Sequence, residues 1–220
     1  MNLSKEQIQF IDNYLKGQGI KFWDVRIELV DHIASKLEKS KDLILNRTYL
    51  IKEFGTRVTL EKLVDEKQKI INKKYRKLYF KEMINFFKDI KKIAIFGILI
   101  LLYFFLFKHL SYKSFKITST VLFIFPVVVY IILALKNHFL KEKSIHLERA
   151  HFYVAFSFFI LNIFFQVLKP RGMFDATVNI QTTTFLMIVP LNMFFSFCGY
   201  MVYKRTYEEY SKIFKQLKSI

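Results

Sequence analysis

Three groups of side chains carry types and spacings that could do chemistry. Glu28, Asp31 and His32 bring two carboxylates and an imidazole close together, ligand types that metal ions accept. Adjacent residues on a helix diverge by about 100°, so Asp31 and His32 cannot share a metal without a further partner. A polar pair on a helix face is therefore expected. Lys77, Lys81, Lys88, Lys91 and Lys92 interleave with Tyr79, Phe80, Phe86 and Phe87. Single-stranded nucleic-acid binders and segments lying on anionic lipid both show this pattern. Asn162 and Gln166 stand four residues apart, as do Asn192 and Ser196. All four sit inside apolar runs, where amides and hydroxyls either bridge neighbouring helices or line a substrate path; packing is expected.

Other arrangements that chemistry requires are missing from the sequence. It contains no Gly-rich phosphate loop, H-E-x-x-H or C-x-x-C motif. Cys198, the sole cysteine, suits a small residue packed within a helix. His109, His138, His146 and His151 are scattered along the edges of apolar runs and suit interfacial positions. Asn46-Arg47-Thr48 matches a glycosylation sequon. No catalytic residue, metal or cofactor is expected, and a non-enzymatic role follows.

The elements that position these groups are mostly apolar helices. The runs 93–107, 117–135, 150–168 and 184–203 contain no Asp, Glu, Lys or Arg. A bilayer core of roughly 30 Å takes about 20 helical residues, and helices satisfy their own backbone in lipid. Four transmembrane helices are predicted over 93–110, 117–135, 150–168 and 182–203. The chain is 53% hydrophobic yet carries a formal charge of +17, and the two properties are segregated. Residues 1–66 hold eleven basic and eleven acidic residues, whereas 67–92 hold ten basic against Glu82 and Asp89. That basic stretch abuts the first apolar run, which favours lipid headgroups over nucleic acid.

Basic residues also orient the spans. Lys91 and Lys92, four in the loop 136–149 and five in the tail from 204 fall on one side. Lys108, Lys113, Lys116, Lys169 and Arg171 fall on the other. The positive-inside rule puts both termini in the cytoplasm. With no leader ahead of the first run, the expected location is a bacterial inner membrane.

Ahead of the spans, the sequence reads as a cytoplasmic helical domain over 1–58. Ser4 and Gln7 form a capping-box pattern, and a first helix is predicted over 4–16, ending at Gly17 and Gly19. A second spans 22–39. Val25, Leu29, Ile33 and Leu37 form its apolar stripe, and Asp24, Glu28, Asp31, Ser35 and Glu38 its polar face. A third runs over 43–54 and stops at Gly55. A basic stalk helix covers 59–92, with no Pro or Gly separating it from the first span. The tail 204–220 continues an amphipathic pattern through Tyr203, Tyr207, Tyr210, Phe214 and Leu217. The fold class is all-α: a small helical domain, a stalk and a four-helix transmembrane bundle.

The run 22–38, with its Asp31-His32 pair, followed by Phe54-Gly55, resembles the HAAS-like and permease-prefix helical domains of bacterial membrane proteins. The resemblance covers about residues 4–66, and the whole chain is similar to uncharacterised multi-pass membrane proteins of the Bacteroidetes. Such domains imply a regulatory or interaction module, sometimes linked to PadR-type regulators. The expected partners are membrane lipids and a protein docking on 1–58, with homo-oligomers allowed and nucleic acid excluded. A subunit of a transport system is the alternative function. The lack of charge in the spans weighs against ion-coupled transport.

Overall fold

The computed structural model describes residues 3–39, 45–138, 142–167 and 177–219, the side chains of 38–39, 163–167 and 215–219 excepted. It is all-α. The described residues form eight helices: α1 (Lys5–Gly17), α2 (Trp23–Lys39), α3 (Arg47–Phe54), α4 (Arg57–Phe86), α5 (Ile90–His109), α6 (Tyr112–His138), α7 (Ile145–Val167) and α8 (Val178–Ser219). Among the described residues, three segments are long and apolar enough to cross a membrane: Ile90–His109, Tyr112–His138 and Val178–Phe214. The third predicted span falls on α7, whose apolar run continues past the last described residue of that helix.

The chain divides into two compact units. One comprises Met1–Lys74 with His138–Glu148, the other Tyr75–Asn137 with Arg149–Ile220. The first therefore extends beyond residue 58 and includes a segment from between α6 and α7. In this unit Ser4 caps α1 with a reciprocal capping box, which satisfies two otherwise orphaned helix-end donors. Asn46 caps α3 by accepting from the Tyr49 N–H at 2.7 Å. The third helix therefore starts at Arg47, and the predicted 43–44 lie outside the described residues. Gly55 ends α3 at φ 72°, a conformation that side chains with a Cβ rarely adopt. Ile11, Leu15, Val25, Leu29, Ile33, Leu50 and Leu60 form the buried apolar core.

In the second unit α4 and α5 are separate helices. The Asp89 Oδ1 accepts from the Lys91 and Lys92 N–H groups at 3.1 and 3.3 Å, starting a new helix at Ile90. The end of α4 packs within the second unit. Tyr75, Tyr79, Glu82 and Phe86 are buried along one face, and the Tyr79 hydroxyl donates to the Phe195 carbonyl of α8 at 3.1 Å. The tail is likewise no separate element, because α8 runs unbroken from the apolar segment to Ser219. Only Leu110 and Ser111 join α5 to α6, so those helices are antiparallel neighbours. A Cβ on Gly199 of α8 would lie 2.0 Å from the Tyr153 carbonyl oxygen of α7, so these two backbones touch where no side chain fits.

Candidate functional site

The most connected polar site in the first unit joins α2 to residues 142–148. Asp24 is 8% exposed rather than on a solvated acidic face, which corrects the expectation for that residue. Its Oδ2 accepts from the Ser144 hydroxyl at 2.6 Å and the His146 N–H at 3.3 Å. Its Oδ1 accepts from the Val25 and Ile145 N–H groups at 3.0 and 3.3 Å. Ser144 in turn accepts from the Leu147 N–H at 3.2 Å. A carboxylate and a hydroxyl thus share the first turn of α7, where free N–H groups and the helix dipole favour negative charge.

Two residues along, Arg26 is 3% exposed and spreads its donors over four acceptors. Nε reaches Asp12 at 2.5 Å and one terminal nitrogen reaches Glu142 at 2.7 Å. The other donates to the Ile20 and Lys21 carbonyls at 3.1 and 3.3 Å. Lys16 adds a second cation to Glu142 at 2.7 Å. Burial pushes the Glu142 carboxyl up, but the hydrogen bonds from Lys16 and Arg26 outweigh it and hold it below its usual range. For Arg26 burial acts downward, and the bonds to Glu142 and Asp12 reverse it. A parallel backbone bridge at Phe22 and Lys143, with the Trp23 N–H donating to the Lys143 carbonyl at 3.0 Å, completes the seam. Such a constellation of paired charges fixes a position.

The three residues weighed as metal ligands point to separate partners. His32 meets Glu53 at 3.2 Å, and Lys36 also binds Glu53. Glu28 pairs with Lys67, while Asp31 is exposed. The bond from Lys36 holds the Glu53 carboxyl below its ordinary range. Among the described residues no group of three or more His, Cys, Asp or Glu could hold a metal ion.

In the second unit Asn192 is fully buried. Its amide nitrogen donates to the Phe123 carbonyl at 2.8 Å, and its oxygen accepts from the Ser157 hydroxyl at 2.6 Å. Ser157 also lies 2.9 Å from the Ser196 hydroxyl. This ties α6, α7 and α8 together. Neither an amide nor a hydroxyl can take the Ser157 proton as a base, so no activated nucleophile results. Asn162 is half-buried on α7 outside this cluster, and the Gln166 side chain lies outside the described residues. Tyr103, buried on α5, bonds the Ser119 hydroxyl at 2.9 Å and donates to the Phe185 carbonyl at 3.2 Å.

Of the five lysines weighed as headgroup contacts, Lys77, Lys81, Lys88 and Lys91 are exposed. Lys92 is half-buried and donates to Glu82 at 3.3 Å. Glu82, 2% exposed, also receives Arg205 of α8 at 2.6 Å.

The residues that sequence reasoning missed are Arg26, Glu142, Ser144, Ser157, Glu82 and Arg205. Arg26 interrupting the apolar stripe of α2 was one available signal; Ser144 ahead of an apolar run, in N-cap position, was another. The remaining pairs join residues from distant parts of the chain and leave no local pattern. Compared with known proteins, the chain matches no protein-family model, no curated protein and no solved structure.

Proposed function

We propose a non-enzymatic, four-span protein of a bacterial inner membrane, with both termini cytoplasmic and a helical interaction or regulatory domain outside the bilayer. The observation that carries the topology is a parity in the second unit. Tyr112, opening α6, donates to Gln181 near the start of α8 at 2.6 Å. Asn137, closing α6, accepts from Tyr203 near the polar end of α8 at 2.8 Å. Lys136 lies 4.1 Å over the Tyr207 ring at that same end. Thus α6 and α8 run in one direction side by side, and the chain between them must return across the bundle. Helix α7 is the segment available, and it packs on α8 through Ser157 and Gly199. An even number of crossings, with more basic residues on the terminal side, supports cytoplasmic termini.

The interaction role rests on the first unit. Its buried polar groups hold helix α2 to the segment between the second and third spans. The resemblance to permease-prefix domains agrees with a docking module. Fusions of a periplasm-active and a cytoplasm-active reporter after Lys41, Lys143, Arg171 and Ile220 test the topology. Only the Arg171 fusion is expected to report outside. An external signal at Lys143 would overturn the reading.

A further inference from the structure

Helix α5 meets its neighbours at Tyr103 and at Phe96, among other contacts. Tyr103 bonds Ser119 and the Phe185 carbonyl, and Phe96 meets Phe86 edge-on at 5.6 Å between ring centres. Between these contacts lies a cavity of about 500 Å³, within the roughly 300–1,000 Å³ of small-ligand pockets. Ile95 and Leu99 of α5, Phe125 and Pro126 of α6, and Met193 and Phe197 of α8 line it. Ile95, Leu99, Phe125 and Phe197 are 62%, 46%, 55% and 38% exposed, so the cavity opens on the face that hydrocarbon would cover. Its wall therefore calls for an apolar guest, and a void without partner atoms forfeits dispersion contacts.

One end is charged. Lys92 is the one charged residue in the described lining, seven residues before Leu99, which is roughly 10 Å along a helix. Its ammonium has three donors. Glu82 takes one at 3.3 Å, and Asp89 stands off at 3.7 Å. Arg205, on Glu82, is 58% exposed, and Lys88 and Lys91, within four residues of Lys92 in sequence, are also exposed. Lys92 and Arg205 share Glu82, and with Lys88 and Lys91 nearby in sequence this end of α5 carries more cations than its two carboxylates, Glu82 and Asp89, an excess that suits an anion.

The geometry points to a site for one anionic phospholipid, its acyl chain in the cavity between α5, α6 and α8 and its phosphate on Lys92. The chain's transfer from bulk lipid releases no hydrophobic free energy, so selectivity comes from filling the void and from the charged end. This inference rests on the membrane-spanning reading. Failure of that reading would appear in the reporter fusions, whereas failure of the site appears in lipid retention.

The test is native mass spectrometry of the purified full chain in detergent, offered phosphatidylglycerol or phosphatidylcholine of equal chain length. The wild type should retain one phosphatidylglycerol, preferred about fivefold, as expected of one lysine near an anionic lipid. Leu99→Trp and, separately, Val129→Phe, another lining position, should lose it. Ile132→Trp, on an exposed part of α6 outside the lining, should keep it. Lys92→Gln should still hold a lipid but without the preference. Thermal melts identify any variant that fails to fold, and either filling variant then suffices. Equal retention by folded filling variants and Ile132→Trp would overturn the site. So would equal affinity for the two lipids, or a wild-type dimer that Leu99→Trp converts to a monomer.

Discussion

Asp24 and Arg26 are two residues apart on α2, yet between them they bind Asp12, Glu142, Ser144 and the first turn of α7. Arg26→Ala would strand Asp12 and Glu142 and should cost about 2–3 kcal/mol, the range for hydrogen bonds to charged groups. Trp23 is the only tryptophan and is 7% exposed in this unit, so its fluorescence during a thermal melt of the full chain reads the change. Glu142 and Glu53 have carboxyls held below their ordinary value of 4.5. A depressed acid stabilises above its unfolded pKa, and that contribution is lost as pH falls through the folded value. The Trp23 melting midpoint should therefore be level above about pH 5 and fall progressively below 4.5. A midpoint that rose on acidification would contradict the assigned pairs. In the second unit, Gly199→Ala should destabilise by about 1–3 kcal/mol through overpacking on Tyr153. Gly97→Ala, with nothing within 4 Å of the added carbon, should be neutral or slightly stabilising in the same detergent melt.

Helix ends decide what each element can do here. Asp89 closes the gap between α4 and α5 by capping the latter, so Asp89→Ala should lower detergent stability by about 1 kcal/mol, whereas Asp89→Ser should retain most of it. Equal melting of wild type and Asp89→Ala would mean the cap is idle. That cap was present in the sequence as an Asp before an apolar run, but the absence of Pro and Gly left the helix break unmarked. Local chemistry did mark other ends: the Ser4–Gln7 box and the Gly55 stop are visible because cap and partner lie within four residues. The Arg26–Glu142 pair, 116 residues apart, has no such local sign. The apolar periods found the long helices for the same reason that they hid the site. Composition over a window reveals which surface leaves water, but not which buried carboxylate meets which distant N–H.

For the whole molecule, the first unit is discontinuous in sequence. Replacing 142–144 by Gly-Ser-Gly in the full chain should remove partners from Asp24 and Arg26 together. Uncovering buried charges should then lower the stability reported by Trp23 by about 3–5 kcal/mol. The same replacement should leave the reporter-fusion topology unchanged, because the apolar helices are untouched and Lys136, Lys141 and Arg149 remain in the loop. If the Trp23 melt is also unchanged, the seam contributes no cohesion.

This discontinuity also sets an order of events during biosynthesis. Arg26 leaves the ribosome 116 residues before Glu142, an interval on the order of ten seconds at about 5–20 residues per second. Throughout it, α1 and α2 are made but their buried arginine lacks one of its carboxylates and Asp24 has no helix end to cap. The two apolar helices α5 and α6 are synthesised within the same interval. Completion of the first unit therefore waits on synthesis of the first hairpin. A chain stalled before residue 142 would leave Arg26 without Glu142 and Asp24 without Ser144, a state more open to chaperones and proteases than the completed unit.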